Sequence, residues 1–141
     1  MGLMSNNDAV IEMDILPPRW LDISDEVANT LATVQTQMTR LEPLLSKHVL
    51  PGFEDESVKK REEREIEKVT QDITRGFQSC QRAIKRIENT VKETKASPSG
   101  ISQAEETMAR NLQISLATRV GEVSAVFRKK QSVYLKSAHR L

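Results

Sequence analysis

Cysteine, glycine and aromatic side chains are all scarce in this chain of 141 residues, which has one Cys, five Gly and only 4% Phe, Trp and Tyr together. With Cys80 alone, no internal disulfide can form, and nothing marks an oxidising compartment. Five glycines leave little material for phosphate-cradling loops or the tight turns around most active sites. The two histidines, His48 and His139, lie far apart in sequence, and no histidine-carboxylate spacing typical of a metal site is present. Aromatic poverty argues against a β-sandwich, whose strands favour aromatic and β-branched residues. Charge of one sign is missing too. A net charge of +1 provides no broad positive potential for nucleic-acid phosphates or anionic lipid. No apolar run approaches the roughly 18 to 20 residues of a membrane span, and the N-terminus lacks the basic flank and apolar stretch of a signal peptide. Met1 and Gly2 open like a myristoylation start, but Asn6 stands where Ser or Thr is required and Ser5 comes one residue early. A soluble, cytosolic, non-enzymatic polypeptide without metal or cofactor is expected.

What the chain does have is helical periodicity, with 38% hydrophobic and 29% charged residues. Ile23, Val27, Leu31, Val34, Met38, Leu41 and Leu45 advance in steps of three and four, predicting a first helix over about 22–48. Pro17 and Pro18 are read as a barrier, leaving 1–21 as an extended N-terminal segment, with Asp22 or Ser24 as the helix cap. Pro51 and Gly52 close the helix. A second period, Ile66, Val69, Ile73, Phe77, Cys80, Ile84, Ile87 and Val91, predicts a helix over about 57–94, with Cys80 inside its apolar stripe as a small hydrophobe. Its opening, Lys59 to Lys68, reads as an exposed, ion-paired stretch in which Arg61 faces Glu65. Ala96 to Gly100 breaks the chain again. Ser102 and Glu105 then form a capping box that starts a third helix over about 102–138, with Met108, Leu112, Leu116, Val120, Val123, Phe127 and Tyr134 inward and Val126 and Val133 on the flank. His48 and His139 fall at predicted helix ends, where a cation complements the dipole. The expected fold is all-α, a monomeric, elongated, antiparallel up-down-up three-helix bundle over 22–139, its longest helix about 50 Å.

One face does not fit simple packing. On the third helix Ala117, Gly121 and Ala125 recur every four residues opposite the core arc, with Ile114 and Leu135 toward the two ends. Small residues bounded by larger apolar ones let another helix approach closely. These five residues are the candidate protein-binding face.

Three stretches carry a family resemblance. Leu16-Pro17-Pro18-Arg19-Trp20-Leu21-Asp22, Phe77-Gln78-Ser79-Cys80-Gln81-Arg82-Ala83 and Phe127 to Lys136 (FRKKQSVYLK) resemble the N-terminal regulatory domain of a syntaxin, of the syntaxin-sixteen or Tlg type. The resemblance covers about residues 16–138 and implies an Habc domain, the three-helix bundle of a Qa-SNARE at the trans-Golgi network and endosomes. It further implies a bundle that can fold back on the SNARE helix of its own parent chain and takes part in binding an SM-family protein of the vacuolar-sorting class. Cognate SNAREs are then met through the parent. The SNARE motif and membrane anchor of such parents are not found in this sequence. Two other classes remain. A spectrin-like cytoskeletal repeat would show a second copy, and no internal repeat occurs. A lipid-binding helical adaptor would need a basic face, for which Arg128, Lys129, Lys130, Lys136 and Arg140 are the only candidates.

Overall fold

The computed structural model describes residues 17–49 and 55–140, and among them every regular element is a helix. They are α1 (Pro18–Val49), α2 (Glu56–Ala96) and α3 (Gln103–Arg140). At 1.5 Å per residue the 41 residues of α2 extend about 60 Å, starting one residue before and ending two residues after the expected 57–94.

α1 starts four residues earlier than the apolar period alone indicates. A proline needs no amide partner at the first helical position and brings a helical φ, so Pro18 opens the helix instead of barring it. The Pro17 carbonyl accepts from the amides of Trp20 at 2.9 Å and Leu21 at 3.1 Å. Trp20 thereby enters the core, fully buried, and residues 17–21 belong to the bundle. Asp22 is exposed and Ser24 is buried within the helix, so neither is the cap. The remainder of the expected extended segment, residues 1–16, and the breaker at Pro51 and Gly52 lie outside the described residues.

α2 begins on a cap that the apolar pattern does not show. The Asp55 carboxylate accepts from the Ser57 hydroxyl at 2.6 Å and the Val58 amide at 2.9 Å. Those two bonds, the hydroxyl's first, hold its pKa below the ordinary 3.8. At the far end the chain turns through Gly100, whose φ of 65° suits glycine best. α3 then starts on the expected cap, with the Glu105 amide donating to Ser102 Oγ at 3.1 Å.

Cross-helix pairs fix the arrangement. Glu26 pairs with Arg86 and Arg40 with Glu65, which makes α1 and α2 antiparallel and takes Glu65 away from its expected partner Arg61. Lys95 meets Glu106 at 2.6 Å, and the rings of Phe77 and Phe127 lie 5.9 Å apart, so α2 and α3 are antiparallel as well. Lys130 reaches Glu42 at 3.3 Å between the parallel pair α1 and α3. These are exposed pairs that set register more than stability.

The core runs the length of the bundle. α1 supplies Val27, Leu31 and Val34, α2 supplies Val69, Ile73 and Ile87, and α3 supplies Leu112, Leu116 and Val120. Ala83 and Ala109 are buried beside them. Ile84, expected on the inner stripe, sits at its margin and is only partly buried, because Ala83 and Ile87 occupy the centre of the face.

Two helical glycines make opposite demands. A Cβ on Gly76 would stand 2.4 Å from Cγ2 of Val34, a buried β-branched side chain with little rotamer freedom in a helix, whereas a Cβ on Gly121 would meet nothing within 4 Å. Gly76→Ala is therefore expected to destabilise despite better helix propensity, since overpacking costs about 1–3 kcal/mol against about 1 kcal/mol gained. Gly121→Ala is expected to stabilise by about 0.5–1 kcal/mol. Urea titrations of the two variants check the contrast. Equal shifts would place the α1–α2 contact elsewhere.

Candidate protein-interaction face

The third helix turns Leu112, Leu116, Val120 and Phe127 inward, so the four-residue repeat opposite them must point out. Ile114, Ala117, Gly121, Ala125 and Leu135 are all exposed. Ile114 and Leu135 keep 58% and 54% of their surface in solvent, among the largest exposures of any large apolar residue here. Between them the backbone is nearly bare at Gly121. Thr118 folds its hydroxyl back to the Ile114 carbonyl at 2.8 Å, and Arg128 donates to Ser124 Oγ at 2.7 Å. The Thr118 hydroxyl thus has a partner on its own helix, and so has the Arg128 guanidinium, which stands on the same face between Ala125 and Leu135; from Ile114 to Ala125 that face is uncharged. Chemically it offers close approach and apolar contact.

The other residues considered for chemistry are placed in structural roles. Cys80 is buried, its Sγ 4.0 Å from the Val27 carbonyl, and burial first, then the Glu26 carboxylate, pushes the thiol pKa up. A thiol so placed is a poor nucleophile. Modification of Cys80 by a thiol reagent is expected to be slower in the native protein than in denaturant by about a thousandfold or more, since it requires opening of the bundle. Mass spectrometry over time checks this, and rapid native labelling would contradict it. His48 does more than end a helix. Its Nδ1 is 3.4 Å from Glu62 and its Nε2 3.6 Å from Glu63, both on α2, and its ring centroid is 6.5 Å from that of Tyr134 on α3. Burial first, then Glu63, raises the Tyr134 hydroxyl pKa. The side chains of His139 and Arg140 lie outside the described residues. Among the described residues no three His, Cys, Asp or Glu side chains group as metal ligands.

Sequence reasoning missed one feature. Val126 and Val133, expected on the flank of the inner stripe, are 49% and 58% exposed. Their period alone does not say whether α1 covers them.

The described residues thus form an elongated all-α three-helix bundle with a strip of small residues exposed along its third helix. No protein-family model matches the sequence. The chain is 38% identical over 137 residues to t-SNARE affecting a late Golgi compartment protein 2 of Schizosaccharomyces pombe, a match covering 97% of this chain and 42% of that protein. It is 35% identical over 121 residues to syntaxin-16 of Homo sapiens, covering 85% of this chain and 34% of the relative. A solved Qa-SNARE Tlg2 chain, residues 1–310, in complex with the SM protein Vps45 aligns with a TM-score of 0.73 and 49% identity, covering 93% of this chain and 66% of that one. The chain belongs to the Qa-SNARE syntaxins, in the branch of Tlg2 and syntaxin-16, as their Habc bundle. It spans less than half the length of these curated relatives.

Proposed function

We propose that this bundle is the regulatory domain of a Qa-SNARE acting in vesicle docking and membrane fusion at the trans-Golgi network and endosomes, where it gates SNARE assembly and helps an SM protein bind. The match over nearly the whole chain to a Tlg2 solved with Vps45 carries this reading. In it the partners are an SM protein of the vacuolar-sorting class, the SNARE helix of the same parent and, through the parent, cognate SNAREs. The work is done by exclusion and recruitment, with no catalytic step. Among the described residues no helix is long and apolar enough to cross a membrane, so in this reading the domain stands on the cytosolic face and the parent supplies the anchor.

The seat for the SNARE helix is the outer strip of α3. Helix axes approach to about 8–10 Å only where side chains at the crossing are small, as at Ala117, Gly121 and Ala125. Ile114 and Leu135 then give the docked helix apolar contact toward the two ends of the strip. Calorimetric titration of the bundle with the parent's SNARE helix, and separately with its SM protein, tests the reading. Saturable binding to at least one supports it, and binding to neither contradicts it.

A further inference from the structure

A second surface is open on the side of the bundle where α1 and α3 run parallel. Toward their C-terminal ends the two helices flank an apolar cleft of about 490 Å³. Leu41 and Leu45 form its α1 wall, and Phe127, Val133 and Tyr134 its α3 wall. Val126 and Val133 stay half exposed beside it although both face a neighbouring helix. The outer strip of α3 lies on a different face, so the two surfaces are independent.

The α3 wall of this cleft is cationic. Lys129 and Lys130 follow Glu122, no acidic residue occurs on α3 beyond that point, and from α2 the Glu63 carboxylate acts on Tyr134. Lys129 and Lys130 line the cleft, and on the opposite wall Glu42 is the single carboxylate, already engaged by Lys130 at 3.3 Å. Lys129 has no carboxylate within ion-pair distance among the described residues. A concave apolar trough with a cationic rim complements a convex apolar ridge with anionic flanks. A bilayer surface is broad and flat, and would reach the exposed valines without filling the recess between Leu41 and Tyr134.

We propose that this cleft is a second docking seat, for an amphipathic helix of another protein that lays apolar side chains between Leu45 and Val133 and turns Glu or Asp toward Lys129 and Lys130. The apolar ridge supplies the contact area, and the flanking carboxylates fix its orientation and speed association. The seat does not rest on the reading given above for the outer strip.

The test uses the whole chain, isotope-labelled, and a designed amphipathic peptide of about five helical turns with Leu along one face and Glu on its flank. Its twin carries Lys in place of Glu. The acidic peptide is expected to bind saturably and shift resonances of Leu45, Val126, Val133 and Tyr134, leaving Ala117 and Gly121 unmoved. The Lys twin is expected to bind more weakly by about tenfold. Lys129→Glu should narrow or reverse that preference, and Val133→Asp, at an exposed position that does not threaten folding, should abolish binding of both. No saturable binding, equal affinity for the two peptides, or shifts confined to the outer strip of α3 overturns the proposal. Vesicles of mixed phosphatidylcholine and phosphatidylserine form the last arm. Sedimentation with them that Lys129→Glu and Val133→Asp abolish, without peptide binding, would make the face a membrane contact and also overturn it.

Discussion

Trp20→Ala is expected to remove about 3–5 kcal/mol of folding free energy, the range for truncating a large, fully buried aromatic side chain. For a domain whose whole stability is about 5–15 kcal/mol, that is enough to leave a sizeable unfolded fraction at moderate temperature. The site offers an internal control. Trp20 Nε1 is buried with no hydrogen-bond partner among the described residues, so there the indole N–H contributes a desolvation cost with no bond to offset it. Trp20→Phe keeps most of the apolar contact, discards that indole N–H, and is expected to cost under about 1.5 kcal/mol. Arg19 stacks on the ring at 5.1 Å and stays exposed, so it adds little that Phe would not keep. Urea unfolding followed by circular dichroism measures both variants. A loss under about 1 kcal/mol for Trp20→Ala would mean that the first turn of α1 lies outside the cooperative unit.

The same residue shows how far the bundle was legible in its sequence. Trp20 stands three before Ile23 and seven before Val27, on the stripe that defines α1, yet Pro17 and Pro18 read as a stop. Proline bars a helix only from its second turn onward, because the carbonyl that its own missing amide would bond, and that its ring crowds, belongs to the preceding turn. Pro43 presents the opposite case: it lies inside α1, which continues to Val49 past the missing hydrogen bond. Stripes of Leu, Ile and Val were readable because burial of large side chains dominates the pattern. Ala83 and Ala109 were not, since a methyl group carries little hydrophobic signal even where close helix approach requires it.

The candidate surfaces divide along the same line. The exposure of Ile114, Ala117, Gly121, Ala125 and Leu135 follows from one helix's own geometry, and they were placed by angle alone. The cleft beside Val126 and Val133, and the three-helix meeting of His48, Glu62 and Tyr134, depend on the register of one helix against another. Register is set by pairs such as Glu42 with Lys130, separated by 88 residues, and no local pattern encodes it.

The second large effect concerns the outer strip. Gly121→Glu with Ala125→Glu is expected to leave the bundle folded, because both positions are exposed and a side chain grown from Gly121 enters open solvent. Docking of a helix there would bury two added carboxylates, of which the one at 121 has no cation three or four residues away, and an unpaired buried charge costs about 3–5 kcal/mol, a loss of more than two decades in affinity. The decisive measurement is a chemical-shift titration of the labelled bundle with the SNARE helix of its parent, on the native chain and on this double variant. Saturable binding is expected to map to Ile114, Gly121 and Leu135 in the native chain and to be lost in a variant with an unchanged circular dichroism spectrum. Equal binding by both proteins would contradict this.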